Sequence, residues 1–140
     1  MTLITLLLPT RGRPFELVDS VETVLSKATD PERVQFHFAC DNDDHDTIET
    51  VLSLRRPVDE VLILYPMGYA GLHEYCNRML NQSKGQWFMM WNDDAYMMTD
   101  EWDEVIASSN PRDILNPLTT LGVEDALFPV VPKEFVQAVG

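Results

Sequence analysis

Residues 87–97 read WFMMWNDDAYM. An unbroken run of large apolar residues, Trp87 to Trp91, leads straight into Asn92, Asp93 and Asp94, and the chain then turns apolar again at Tyr96, Met97 and Met98. The apolar run reads as a buried strand. Adjacent ionised carboxylates at its end repel one another, and apolar surroundings raise the cost, so the pair needs solvent, hydrogen-bond donors or a cation. At roughly 4 Å and an effective dielectric near 20, two like charges cost about 4 kcal/mol, and a divalent cation reverses the sign. The plainer reading is a turn in which one Asp caps a helix beginning near Thr99-Asp100. Position along the chain favours the cation, because the other strand ends are charged or polar too.

Working outward, LITLLL (residues 3–8) is a strand with a near-continuous apolar run, ended by Pro9 and followed by the loop Thr10-Arg11-Gly12-Arg13. Pro14 suits the first position of a helix on which Phe15, Val18, Val21, Val24, Leu25 and Ala28 recur at helical spacing. Val34, Phe36 and Phe38 alternate with Gln35 and His37 in a second strand that ends at Cys40-Asp41; Ile48, Val51, Leu52 and Arg55 mark the next helix. A third strand spans Val61 to Tyr65. A turn at Gly68–Gly71 and a helix bearing Leu72, Tyr75, Cys76, Met79 and Leu80 follow, with Gly85 as the stop. After Trp87–Trp91 come a short helix with Trp102, Val105 and Ile106, a strand around Leu127 to Val131, and a last helix from Lys133. Strands alternating with helices of this length predict a three-layer Rossmann-like α/β sandwich with a mostly parallel sheet. In such sheets ligands bind beyond the carboxyl ends of the strands. The Arg11-Gly12-Arg13 loop, the run from Asp41 to Asp44, Pro66-Met67-Gly68 and Asn92-Asp93-Asp94 all fall there.

Composition narrows the partners. At 140 residues and 45% hydrophobic content the chain forms one domain, residues 1–140, with a real core. A net charge of -13 argues against nucleic acid or an anionic membrane as the main partner. Any phosphorylated ligand must therefore be met locally by Arg, by helix amino termini or by a divalent cation. No stretch reaches the roughly 20 apolar residues of a membrane span. The start MTLITLLLPTRGRP has no basic leader and reads as the first strand of a cytoplasmic protein. Cys40 and Cys76 lack a paired spacing and are expected to be free thiols.

Other motifs weigh less. The run Asp41-Asn42-Asp43-Asp44-His45-Asp46 fails as a calcium loop, with Asp46 at its sixth position and Leu52 at its twelfth; Asp44 or Asp46 is expected to cap the following helix, and Asp41 stands apart by lying at the strand end. Arg11 and Arg13 flank Gly12 in a loop able to approach phosphate closely. His37, His45 and His73 show no metal-ligand spacing. Neither G-x-G-x-x-G nor a P-loop is present.

Taken together, LLLPTRGRP, FACDNDD and GLHEYCNRMLNQSKGQWFMMWNDDA resemble the nucleotide-sugar-binding half of glycosyltransferases of the A-type fold, in particular inverting family 2. Asn77 and Gly85 keep that family's eight-residue spacing, Asn92-Asp93-Asp94 stands in place of its acidic motif, and FPVVPKEFVQAVG looks like its later strand and helix. The resemblance implies transfer of a sugar from a UDP- or GDP-linked donor to an acceptor hydroxyl of unknown identity, with inversion, and with Mn2+ or Mg2+ as cofactor. It implies a nucleotide site formed by Pro9, Thr10, Arg11, Arg13, Asp41, Asn77 and Asp93, with Asp94 and Asp93 on the metal and Asp94 catalytic through it. Family members carry the catalytic base beyond the strand-helix-Gly element, so here the base is Glu124 or Asp125, or comes from another segment or chain; Asp125 is the residue carried forward. Apolar surface left by missing acceptor elements predicts self-association. The rival expectations are a nucleotide-sugar-binding or assembly module without a base, and a nucleotidyltransferase, whose first loop would ordinarily be richer in Gly and Lys or Arg than T-R-G-R.

Overall fold

The computed structural model describes residues 3–119 and 128–139. Strand β1 (Ile4–Thr10) leads to helix α1 (Pro14–Ser26), β2 (Val34–Asp41) to α2 (His45–Leu54), β3 (Glu60–Leu64) to α3 (Leu72–Gln82), and β4 (Trp87–Met90) to α4 (Trp102–Ala107); β5 (Val130–Pro132) and α5 (Lys133–Val139) complete the described chain. Among the described residues the sheet has five strands in the order β3-β2-β1-β4-β5, parallel except for β5, which runs antiparallel to β4. Successive strands grow outward from β1 to β3, and β4 then returns to the other side of β1. That reversal opens a crevice between the carboxyl ends of β1 and β4, the usual ligand position in open α/β sheets.

Pro9 does not end β1, which pairs with β2 as far as Thr10 opposite Cys40. The reason lies in the ladder. The Leu7 carbonyl accepts from Trp91 on the β4 side, so Pro9, two residues on, also turns its donor-less nitrogen toward β4, whose pairing with β1 stops at Leu7 and Met90. No ladder bond is lost, and proline is tolerated in an interior strand.

The two sheet faces are covered unequally. Ile4, Leu6, Leu8, Val34, Phe36, Phe38, Trp87 and Met89 form one continuous cluster with Leu17, Val21 and Val24 of α1, Val51 of α2, and Trp102 and Ile106 of α4. On the opposite face a smaller cluster joins Leu7 and Ala39 to Tyr75 and Met79 of α3. Thr5, Gln35 and His37 are buried between these apolar residues. The helix phases differ from expectation in detail. The buried stripe of α1 is set by Leu17, whereas Phe15 is 84% exposed; Leu52 on α2 and Val105 on α4 also face outward. On α4 the inward place goes to Asp103, which accepts from the backbone N–H groups of Thr29 at 2.7 Å and Asp30 at 3.0 Å. Helix α4 starts only at Trp102, because Glu101 before it takes a left-handed φ of 56°.

Gly85 is not the stop of α3. That helix ends at Gln82, with Ser83 in extended conformation and its hydroxyl donating to the Met79 carbonyl at 2.5 Å. Gly85 is needed for close approach: a Cβ there would lie 2.5 Å from Thr5 Oγ1 and 2.8 Å from the Trp87 carbonyl oxygen. Cys40 and Cys76 are free. Among the described residues no helix is long and apolar enough to cross a membrane.

Candidate functional site

A cleft of about 380 Å³ opens at the carboxyl ends of β1, β2 and β4. Pro9, Thr10, Arg11, Arg13, Asp41, Asp93 and Asp94 all line it, and so do Asn92 and, from the β3–α3 side, Gly68, Tyr69, Leu72 and Tyr75. The arginine loop is shaped by Gly12, whose φ of 66° a residue with a side chain adopts only at a cost. Asp44 caps α2 by accepting from the Thr47 N–H, as expected, and also accepts from the Gly12 N–H at 2.7 Å. The loop is thereby tied to the amino terminus of α2. Burial opposes the Asp44 charge, but the hydrogen bonds from Thr47 and Gly12 outweigh it and lower its pKa.

The arginines on either side of Gly12 face different carboxylates. Arg11 Nη1 lies 2.6 Å from Asp41 Oδ2 and 2.6 Å from Asp43 Oδ1, and its guanidinium holds the Asp43 carboxyl below its ordinary value. The other Asp41 oxygen accepts from the Tyr75 hydroxyl, whose pKa is raised by burial and by that carboxylate. Arg13 Nη1 lies 2.8 Å from Asp94 Oδ2 and 3.4 Å from Asp93 Oδ1. Asp93 is buried, and burial pushes its pKa up, while the Thr10 hydroxyl donates to its Oδ2 at 3.0 Å and opposes that rise. Asp94 is about half exposed. Neither carboxylate caps α4, whose cap position has no side-chain bond.

The loop that carries these carboxylates is pinned from α1. Ser20 accepts the Trp91 indole N–H at 2.9 Å and donates to the Ala95 carbonyl at 2.5 Å, bracketing Asn92–Asp94 from both sides. Ser20 and Tyr75 are the residues that sequence reasoning missed. Tyr75 suits an apolar helix position by spacing, and its place one turn after the Gly68–Gly71 turn at a strand end is the signal that points to the cleft. Ser20 left no signal beyond a polar residue on the α1 stripe. Cys40 is inert at this end of the sheet, its thiol pushed up to about 12 by burial, with Asp44 and Asp41 adding to the effect.

Asn77 is not in the cleft. It sits on the exposed side of α3 and lines a separate apolar groove of about 330 Å³ with Leu80, Phe88 and Phe135. The reason is helical: two residues from both Tyr75 and Met79, it points roughly 200° away from them. Asp125 and Glu124 lie outside the described residues.

Asp93 and Asp94 fit a divalent cation in one specific respect: an oxygen from each already converges on a single positively charged nitrogen, Arg13 Nη1. Among the described residues no group of three or more His, Cys, Asp or Glu is assembled. An ion here would take its remaining ligands from water and from phosphate oxygens, the habit of Mg2+ and similar hard ions.

No protein-family model and no curated protein matches the chain. Solved structures do. The mannosyltransferase PcManGT from Pyrobaculum calidifontis, in complex with GDP-Man and Mn2+, superposes with a TM-score of 0.77 at 9% identity, over 98% of this chain and 46% of that one. TarS 1-349 from S. aureus superposes with a TM-score of 0.65 at 11% identity, over 99% of this chain and 49% of that one. The 4-diphosphocytidyl-2C-methyl-D-erythritol synthase of Anaerococcus prevotii gives 0.56 at 10% identity, over 98% and 74%. The mixed α/β sheet is thus that of A-type glycosyltransferase structures, and the chain spans about half the length of the glycosyltransferase chains it matches.

Proposed function

We propose that this chain is the donor-binding part of a glycosyltransferase, taking a nucleoside-diphosphate sugar with a divalent cation and transferring the sugar with inversion. The observation that carries the reading is the meeting of Asp93 and Asp94 around one cationic nitrogen, in the crevice where the strand order reverses. Matched structures are described as complexes with GDP-Man and Mn2+, with UDP and with UDP-GlcNAc.

In this reading Asp41, held from below by Tyr75, accepts an N–H of the nucleobase once Arg11 gives way. Thr10 keeps Asp93 oriented, and Ser20 keeps the Asn92–Asp94 loop from drifting. Asp93 and Asp94 hold the cation, which when bound supplies positive charge to the departing diphosphate. Arg11 and Arg13 are the cleft's own cations, set against the carboxylates of Asp41, Asp93 and Asp94. Asp125 is put forward as the group that takes the acceptor hydroxyl proton.

Calorimetric titration with UDP and with GDP, each with and without Mn2+, tests the reading. Binding that requires the ion is expected. Asp94→Asn should weaken it by tenfold or more, about 1.4 kcal/mol at least, with unchanged circular dichroism. A folded protein that binds neither nucleotide in the presence of Mn2+ overturns the proposal. Asp125→Asn should lower donor turnover by about 10² to 10⁴, the usual worth of a general base, with nucleotide affinity retained.

A further inference from the structure

We propose that Arg13 is an exchangeable internal counter-ion: it occupies the carboxylates of Asp93 and Asp94 in the ligand-free protein and surrenders them to the divalent cation. The proposal rests on the reading of those carboxylates as cation ligands and concerns what must leave for the cation to enter.

The argument comes from comparing two arginines of the same molecule. Arg56 is a structural arginine. Its Nε and Nη2 bond Asp59 at 3.1 and 2.8 Å, Nη1 bonds the Pro31 carbonyl at 2.9 Å, Nη2 bonds the Val34 carbonyl at 2.5 Å, and the guanidinium lies 5.8 Å from the Phe36 ring centroid. Its side chain is 23% exposed, and moving it would strand several acceptors at once. Arg13 has none of this framing. Its side chain is 45% exposed, and among the described residues its ion pairs are those with Asp93 and Asp94, both through Nη1.

The carboxylates differ in what holds them. Asp93 is fixed on its other oxygen by the Thr10 hydroxyl, so it stays in place when Arg13 leaves. The backbone of Arg13 is equally settled, its carbonyl accepting from Leu17 at 2.9 Å to start α1. Only the side chain needs to move. A guanidinium brings one positive charge to a pair of carboxylates and a divalent cation brings two, so the ion wins the pair when present. Without it, Arg13 prevents the uncompensated repulsion that adjacent carboxylates would suffer.

The test is the affinity of nucleotide-free protein for Mn2+, read from the electron paramagnetic resonance signal of the free ion, in the wild type, Arg13→Gln and Arg13→Lys. Removing the competitor in Arg13→Gln should tighten Mn2+ binding about five- to tenfold, within reach of two ion pairs that share one half-exposed guanidinium; Arg13→Lys, which keeps the charge, should stay near the wild type. Unchanged or weaker Mn2+ binding in a folded Arg13→Gln protein overturns the exchange. In the wild type, side-chain NMR supplies a measurement that no variant's folding can spoil. The Arg13 guanidinium resonance should move to the position of an unpaired arginine as Mg2+ is added, and a resonance that stays put overturns the proposal. A wild-type protein that binds no Mn2+, alone or with UDP or GDP, overturns the cation reading itself and the exchange with it. Mn2+ binding unaffected by Arg13→Gln removes the exchange alone.

Discussion

The two faces of the sheet are built to different standards. Under α1, α2 and α4 the strands present Ile4, Leu6, Leu8, Val34, Phe36 and Phe38, all fully buried, with the Phe36 and Phe38 rings stacked at 5.4 Å between centroids. Under α3 the same strands present Thr5, Leu7, Gln35, His37 and Ala39, and the neighbouring space between α3 and α5 is an open apolar groove of about 330 Å³. Polar groups on the second face are satisfied piecemeal and incompletely: Thr5 donates to Gln35 at 2.7 Å, Gln35 donates to the Val58 carbonyl at 2.9 Å, and His37 Nδ1 meets Ser83 at 2.8 Å, while the buried His37 Nε2 has no hydrogen-bond partner among the described residues. The first face holds the molecule together by volume. The second is held by specific hydrogen bonds and is the more easily altered. The cleft draws on both, since Ser20 reaches it from α1 and Tyr75 from α3.

The largest effect should come from Phe36→Ala. It removes a fully buried ring from the closed face and should cost about 3–5 kcal/mol, measured by denaturant unfolding. Met79→Ala on the α3 face should cost less, about 2–3 kcal/mol, because a cluster next to an open groove can collapse into the space left. Equal losses would break the contrast between the faces. The smallest effect is in pH dependence. Burial lowers the pKa of His37, against an opposing pull from Glu60. The unfolded chain therefore takes up the proton first. The stability that neutral His37 contributes is complete above the unfolded value near 6.5 and is lost as pH falls from there toward the lower folded value. His37→Gln should flatten that decline, and an unchanged pH profile would show that the α3 face accommodates the charge.

Much of this was legible beforehand. The alternation of strands and helices was visible because apolar periods of two and of 3.6 are local properties of neighbouring residues. Pro9, Thr10, Arg11, Arg13, Asp41, Asp93 and Asp94 could be grouped because strand ends in a parallel sheet share one rim, and all of them line the cleft. Helix phase was harder. Phe15 and Leu17 both suit an amphipathic stripe, and only the packing of α1 on β1 selected Leu17. Asn77 failed for a related reason: spacing to Gly85 says nothing about which side of α3 faces the cleft. Gly85 itself looked like a helix stop and proved to be a point of contact with Thr5, a partner 80 residues away that no local pattern reveals.

By itself the sequence determined the element types, the acidic and basic character of the strand ends, and the capping of α2 by an Asp of the 44–46 run, which the structure narrows to Asp44, because each depends on residues a few positions apart. Tertiary structure decided the strand order that sets β4 beside β1, the pinning of the Asn92–Asp94 loop by Ser20, the seating of Tyr75 on Asp41, and the pairing of Arg13 with Asp93 and Asp94 across some 80 positions of chain. These are long-range choices. They are made when the sheet closes and each charged group must find its counterpart among those that closure brings within reach.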